Sequence, residues 1–294
     1  MNKSSLTAEN LIINDEYKEG RSYLIGNRTG GQGKTLLSQL LYFGLKDEPF
    51  ETEFFSADTT DSGISQSKLG RLLPSVKELG IGASLSEIEG DGEAAIEHWD
   101  EIGGVLKRNN AVIDVGANVL PQILEWGEKR QVGMIFEKLH PVILLVPVTT
   151  QRQSVVDAIY VIDQALKLQE KGGIQFERIV IVFNEVWGKF EDIDDKDDEL
   201  KKLIYYKDKA LAGSVLIDKC ISPVWKFAEA HFIPIHKLAV MGGDGYSASF
   251  GFNEFKANGA YISFVSWARL QIKRLRDAGL LPSGIDREGM KDIA

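Results

Sequence analysis

Apolar and polar positions along the chain sort into short hydrophobic runs separated by stretches with helical recurrence. The runs "SYLIGN" (22–27), "TEFFSAD" (52–58), "NAVIDVG" (110–116), "PVILLVPV" (141–148), "RIVIVFN" (178–184) and "HFIPIHKL" (231–238) read as strands. Inside them, "VILLV" and "IVIVF" are apolar at every position, the pattern of strands buried on both faces, as parallel strands are. Helical recurrence covers 34–46, about 92–107, 152–171, 222–230 and 257–277. The alternation predicts an α/β fold, a mostly parallel sheet flanked by helices on both faces.

No repeat and no Pro/Gly/Ser-rich linker divides the chain. The expected organisation is a flexible arm over 1–20, one domain over 21–277 and a tail over 278–294. The opening residues lack the apolar core of a signal peptide. The longest apolar run has the length of a buried strand, short of the ~18 residues that span a bilayer. The expected location is therefore cytoplasmic.

Composition narrows the chemistry. The 294 residues are 44% hydrophobic, enough for a sizeable core. A net charge of -9 argues against a generally basic, nucleic-acid-coating surface. The one cysteine, Cys220, excludes a disulfide framework and a cysteine-rich metal site within one chain, and reads as a small, partly buried residue. The acidic segment 185–202 reads as a solvated loop leading into a helix, without EF-hand spacing.

The chemistry concentrates in "RTGGQGKT" (28–35), set between a strand and the helical run "LLSQLLYFGL". Gly30, Gly31 and Gly33 lack Cβ atoms, so backbone N–H groups can close around phosphate oxygens. The helix starting near Lys34 turns its positive end to the same anion. Lys34 is placed for the outer phosphates and the Thr35 hydroxyl for Mg²⁺, while Arg28, Thr29, Gln32 and Leu36 complete the segment around the nucleotide. "AVIDVGAN" ends a buried strand in Asp114, the position for an acid that organises Mg²⁺, with Gly116 able to approach the terminal phosphate by its backbone. "FFSADTTDSG" offers Asp58 directly after an apolar run and Asp61 three residues on, the latter also suited to capping a turn. Asn184 ends another buried strand. Its amide donor and acceptor match the adenine edge, and Glu185 and Val186 after it depart from the N-K-x-D expected of a GTPase.

The strict GxxxxGK[ST] pattern fails at Arg28, and the variant GKGGxGK[ST] fits better. On this loop and these strand ends the chain resembles the ParA/MinD family of P-loop ATPases from about residue 20 to 275. Through "FFSADTTDSG", "VIDVGAN" and "LLVPVTTQ" it looks most like the StbB and TraL types of conjugative and mobilisable plasmids. The resemblance implies a P-loop NTPase fold, ATP and Mg²⁺ as ligands, slow hydrolysis, an ATP-dependent homodimer and a DNA-binding adaptor protein as partner. The implied task is positioning or partitioning cargo, foremost plasmid DNA in segregation or conjugation. It also implies that Asp58, or Asp61, orients the attacking water, that Asp58 joins Thr35 and Asp114 around Mg²⁺, and that Pro234 lies beside the base. The family's signature lysine, which crosses the dimer to the partner's nucleotide, aligns with Thr29, and Arg28 takes the place of the preceding glycine. Arg28 has the length and charge to substitute for that lysine in trans.

The last helix carries Arg269, Lys273, Arg274 and Arg276. It reads either as the closing helix of the domain with a solvated basic face or as a nonspecific DNA contact. Two rival functions remain at the sequence level, a nucleotide-binding scaffold that hydrolyses nothing and a small-molecule ligase of the same fold. An iron-protein reductase is disfavoured, because its cluster needs two cysteines per subunit.

Overall fold

The computed structural model describes residues 20–57, 66–79, 92–108, 110–136, 141–194, 197–208 and 211–282. Asp58, Asp61, nearly all of the N-terminal arm and most of the C-terminal tail lie outside them. The strands are β1 (Ser22–Ile25), β2 (Glu53–Ala57), β3 (Lys77–Glu78), β4 (Ala111–Val115), β5 (Val142–Thr149), β6 (Phe176–Asn184) and β7 (Gly213–Ile217). They form one seven-stranded sheet in the order β3-β2-β4-β1-β5-β6-β7, and every pairing is parallel.

The helices are α1 (Lys34–Leu45), α2 (Lys68–Leu72), α3 (Gly92–Leu106), α4 (Leu120–Lys129), α5 (Gly133–Phe136), α6 (Arg152–Glu170), α7 (Asp198–Asp208), α8 (Val224–Ala230), α9 (Ile235–Phe250) and α10 (Glu254–Asp277). Successive strand residues point to opposite faces, and that alternation splits the core in two. Leu24, Ile113, Leu144 and Ile181 pack on one face with Ile102, Ile123 and Ile162 of α3, α4 and α6. Tyr23, Ile25, Leu145 and Val182 pack on the other with Leu37, Leu41, Phe264 and Leu275 of α1 and α10. The expected α/β architecture, a parallel sheet with helices on both faces, is the one observed.

The strand order reverses around β1. The chain leaves β1 for β2 two places away, returns through β4 into the gap, then continues outward from β5 on the other side. Loops leaving β1 and β4 therefore diverge and open a crevice at the sheet's carboxyl edge, the place where open α/β sheets bind ligands.

The segment 231–238 is not a strand. His231 to Pro234 form a turn and Ile235 opens α9, with Pro234 at φ -76, ψ 155 in the N-cap position. Ile235 and Leu238 bury together at helical rather than alternating spacing. The seventh strand is "GSVLI" at 213–217, whose short apolar core follows a glycine and a serine. Most of α9 was hidden by Gly242, Gly243 and Gly245, which depress helix propensity; Gly242 takes φ 70, ψ 175 at a kink. The final helix begins at Glu254, earlier than its apolar pattern suggests, because the Asn253 side chain caps it by accepting the Lys256 N–H.

At the opposite edge of the sheet, β1 and β6 are joined to the residues that follow α10. Buried Arg21 makes a two-pronged pair with Glu177 of β6, at 3.0 and 3.1 Å, and donates to the Gly279 carbonyl at 2.6 Å. Tyr23 and Arg178 bind the carbonyls of Leu280 and Ala278. The residues just after α10 thus belong to the domain. Removing one partner of a buried, hydrogen-bonded pair costs about 3 kcal/mol. Arg21→Met should lower the urea midpoint accordingly, and a shift under about 0.5 kcal/mol, the scale of neutral surface changes, would show that the clamp is dispensable.

Candidate functional site

The segment between β1 and α1 is held by the ends of β5 and β6 and by α6. Buried Asn27 donates to the Pro147 carbonyl of β5 at 2.8 Å and accepts the Arg28 N–H at 2.7 Å, which fixes the start of the loop. The Gln32 side chain is buried: its oxygen accepts from Thr149 at 3.0 Å and from the Ser154 hydroxyl, and its amide donates to the Gly30 carbonyl at 3.1 Å. Asn184, at the end of β6, donates to the Gln32 carbonyl at 3.0 Å.

Gly31 and Gly33 adopt φ +77 and +97, the left-handed region that favours glycine. A Cβ at Gly33 would also lie 2.2 Å from Asn184 Nδ2. Gly33 begins α1 without any side-chain cap, so the first N–H groups of the helix gain no side-chain acceptor. Lys34 lies over the loop with Nζ donating to the Thr29 carbonyl at 2.9 Å. The Thr35 hydroxyl donates to Asp114 Oδ2 at 3.0 Å, which joins the start of α1 to the end of β4.

These groups line one cavity of about 480 Å³ at the carboxyl edge of the sheet, within the range of ligand sites. Gly30, Gly31, Gln32, Gly33, Lys34, Thr35 and Leu36 form one wall, and Asp114, Gly116 and Asn184 stand on others. The structure thus brings Lys34, Thr35, Asp114 and the glycines of the loop together, while Asp58, the third expected Mg²⁺ group, lies outside the described residues. Two neutral or anionic oxygens side by side, a threonine hydroxyl and a carboxylate, fit Mg²⁺, which takes one or two protein oxygens and fills its sphere with water and phosphate. Among the described residues no cluster of three or more His, Cys, Asp or Glu is placed to hold a metal by itself.

Some expected residues sit differently. Arg28 and Thr29 are both turned onto α6: the Thr29 hydroxyl donates to Asp157, the Arg28 guanidinium lies 3.9 Å from the same carboxylate, and it stacks 4.4 Å from the Tyr160 ring centre. Neither lines the cavity. The Gly116 N–H is bound to the Ala57 carbonyl at 2.8 Å, so in this state it does not face a terminal phosphate. That bond places the end of β2, immediately before Asp58, beside Gly116. Asn184 uses its amide for the loop and for a turn, accepting the Val186 N–H at 3.3 Å; one N–H and one lone pair remain for a ligand. Pro234 does not line the cavity, because its segment is a turn entering α9. The residues that follow the true seventh strand and reach the cavity are Trp225 and Glu229 of α8.

Sequence reasoning missed Asp157, Trp187, Trp225 and Lys68, the last three of them on the cavity wall. Asp157 had one available signal, a buried acid among Val155, Ala158 and Val161 on an apolar helix face. Beside Asn184, burial raises the Glu185 carboxyl above the usual range, opposed by the Phe190 N–H it accepts. Burial likewise pushes the Cys220 thiol up to about 11, consistent with a structural rather than reactive residue.

The basic residues of α10 are largely committed. Arg274 pairs with Asp218 at 2.7 Å, Lys273 pairs with Asp277 at 2.7 Å, and Arg276 is half-buried against the domain. Among the described residues no helix is long and apolar enough to cross a membrane.

No protein-family model matches the chain, and no curated protein matches it in sequence. Solved structures to which it is similar include an McdA–ATP complex from Cyanothece, at 12% identity over 84% of this chain and 96% of that one with a TM-score of 0.42. The MinD cell division protein of Aquifex aeolicus matches at 16% identity over 85% and 96%, TM-score 0.39. A structure titled a partition protein matches at 12% identity over 74% and 66%, TM-score 0.39. At such low identity and overlap, what the loop can hold is decided by its own geometry.

Gly33→Ala should destabilise the protein by two separable effects, the left-handed backbone and the clash with Asn184. In an Asn184→Ala background only the first remains, about 1–2 kcal/mol. In a double-mutant cycle by thermal melting the double change should therefore cost less than the sum of the single ones, and strict additivity would mean that Gly33 and Asn184 do not meet.

Proposed function

We propose that the chain is an ATPase that binds Mg-ATP at the glycine loop, hydrolyses it slowly and uses the nucleotide state as a switch for positioning cargo. The observation that carries this reading is the Thr35–Asp114 hydrogen bond at the uncapped start of α1, inside one cavity with Lys34 and the glycine backbone. Anions bind where backbone N–H groups and the helix dipole converge, and the adjacent hydroxyl and carboxylate are the oxygens a phosphate-bound Mg²⁺ requires.

In this reading the N–H groups of Gly31, Gly33 and Lys34 hold the phosphate chain. Lys34 leaves the Thr29 carbonyl to meet the outer phosphates. Thr35 and Asp114 would hold Mg²⁺, which when bound neutralises charge on the phosphate oxygens. Asp58 orients the attacking water from the edge of β2, with Asp61 as its alternate. The resemblance of loop and strand ends to ParA/MinD ATPases supports extending the reading to an ATP-dependent homodimer, a DNA-binding adaptor and plasmid DNA as cargo. The DNA contact falls to that adaptor, with Arg269, Lys273, Arg274 and Arg276 of α10 as the alternative, Arg274 being paired with Asp218.

One observation favours the scaffold alternative. Thr29 at the signature position and Arg28 before it are both held by Asp157 within the same subunit. The two readings separate on phosphate release. Wild type should release phosphate from ATP; Lys34→Ala should lose ATP binding with its circular dichroism unchanged; Asp58→Ala should bind ATP but turn over roughly 100-fold more slowly. Lys34→Ala binding as wild type does would remove the site. An active Asp58→Ala beside an inactive Asp61→Ala would transfer the water to Asp61, and a wild type that binds without releasing phosphate is a scaffold.

Arg28 is the cation available for a partner subunit. Arg28→Ala, added to Asp58→Ala, should preserve ATP affinity and reduce the ATP-dependent dimer fraction in size-exclusion light scattering. An unaltered dimer fraction would leave Arg28 as a brace on α6.

A further inference from the structure

Helix α10 buries Ala257, Ala260, Phe264, Ala268 and Leu275 in the core shared with α1, α9 and the sheet, and turns its other face outward. That outer face is not uniformly charged, as a solvated helix face ordinarily is. Phe255 is 89% and Ile262 61% exposed, and Gly259 and Ser266 are exposed between and after them. At 100° per residue the four fall in one stripe about 60° wide, alternating large and small. Val240 of α9, 76% exposed, borders the stripe, since Tyr261 donates to the carbonyl of its neighbour Ala239.

Gly259 serves nothing inside the subunit. Its backbone is helical, so no left-handed conformation calls for glycine, and glycine weakens a helix relative to alanine. A Cβ there would meet nothing within 4 Å among the described residues, so no close approach calls for it either. What it leaves is a notch in the stripe, one turn from Phe255 and one from Ile262.

We propose that the outer face of α10 is a self-pairing surface, on which a second copy of this chain docks its own α10 antiparallel, each Ile262 seated in the other's Gly259 notch. In that register Phe255 covers Ser266 of the second copy. Both contacts recur through the two-fold axis, as an isologous interface requires. A large residue meets a small one at every level, which lets the axes approach to the about 8–10 Å of packed helices. Charge selects the same orientation. Glu254 opens α10 and Arg269 lies in its second half. The antiparallel register leaves Glu254 and Arg269 of the second copy two residues out of step, about 3 Å along the axis and on one edge of the stripe. A parallel partner would set Arg269 against Arg269. A single helix pair is a small interface, so the association is weak and depends on concentration. It needs no nucleotide and stands apart from the ATP-dependent dimer above.

The test measures the mass of the full chain by sedimentation equilibrium in EDTA, without nucleotide, across the micromolar range. A concentration-dependent dimer is expected. Gly259→Leu should weaken it roughly tenfold or more by filling the notch, although it adds apolar surface. With open space around it, the same change should leave the melting temperature unchanged or raise it. In a Cys220→Ser background, Phe255→Cys combined with Ser266→Cys should give a covalent dimer under a mild oxidant. Phe255→Cys alone, about 16 Å from its own copy, should not. A chain that stays monomeric, or that dimerises only with Mg-ATP, overturns the proposal. So does tighter association of Gly259→Leu, the behaviour of an unspecific apolar patch. A monomer that instead sediments with anionic lipid vesicles, and loses them on Ile262→Glu, gives this face to a lipid surface and overturns it too.

Discussion

The start of α1 is a cluster of backbone donors with no side chain to receive them, and the surrounding structure is arranged to keep it so. A serine or aspartate at the cap would satisfy the first turn and close the site. Gly33 instead takes a left-handed conformation that leaves the turn open, and Asn184 lies where its missing Cβ would be. Gln32 is then fixed by Thr149 and Ser154, so the loop is held from β5, β6 and α6 at once. These bonds hold the loop in shape through the protein's own groups, which reduces the ordering cost of binding an anion.

The second arrangement concerns charge. Arg28 and Thr29 share Asp157, and this decides how readily the cation can leave. An ion pair of 3.9 Å with a guanidinium 42% exposed is worth no more than about 1 kcal/mol, and stacking on Tyr160 adds a similar amount. A phosphate group, a forked and more highly charged acceptor, would outweigh both. Arg28 is therefore parked on α6 rather than locked there. The Thr29 hydroxyl and the Gln153 amide both donate to the Asp157 carboxylate independently of Arg28.

Much of this was legible in the chain because the signals were local. "VILLV" and "IVIVF" announce doubly covered strands, and "GGQGKT" between a strand and a helix announces an anion site at one helix end. Asp114 follows from the same logic, an acid at the end of a buried strand. The errors arose where local signals conflict. "HFIPIHKL" alternates like a strand, yet Pro234 lacks an N–H and suits the entry to a helix, while "GSVLI" is too short and too small in its first residues to stand out. Misplacing that strand also put Pro234 where Trp225 lines the cavity. Asp157, Trp187 and Trp225 reach the site only through the order of strands in the sheet, which no single stretch of sequence encodes.

The central claim is that Thr35 and Asp114, beside the open end of α1, make a site for a Mg²⁺-bound triphosphate. Calorimetric titration of the wild-type chain with ATP, in Mg²⁺ and again in EDTA, addresses it directly. The account predicts one ATP per chain with Mg²⁺ and clearly weaker binding once EDTA removes the cation. An absence of binding in both buffers, or an affinity indifferent to EDTA, would contradict it.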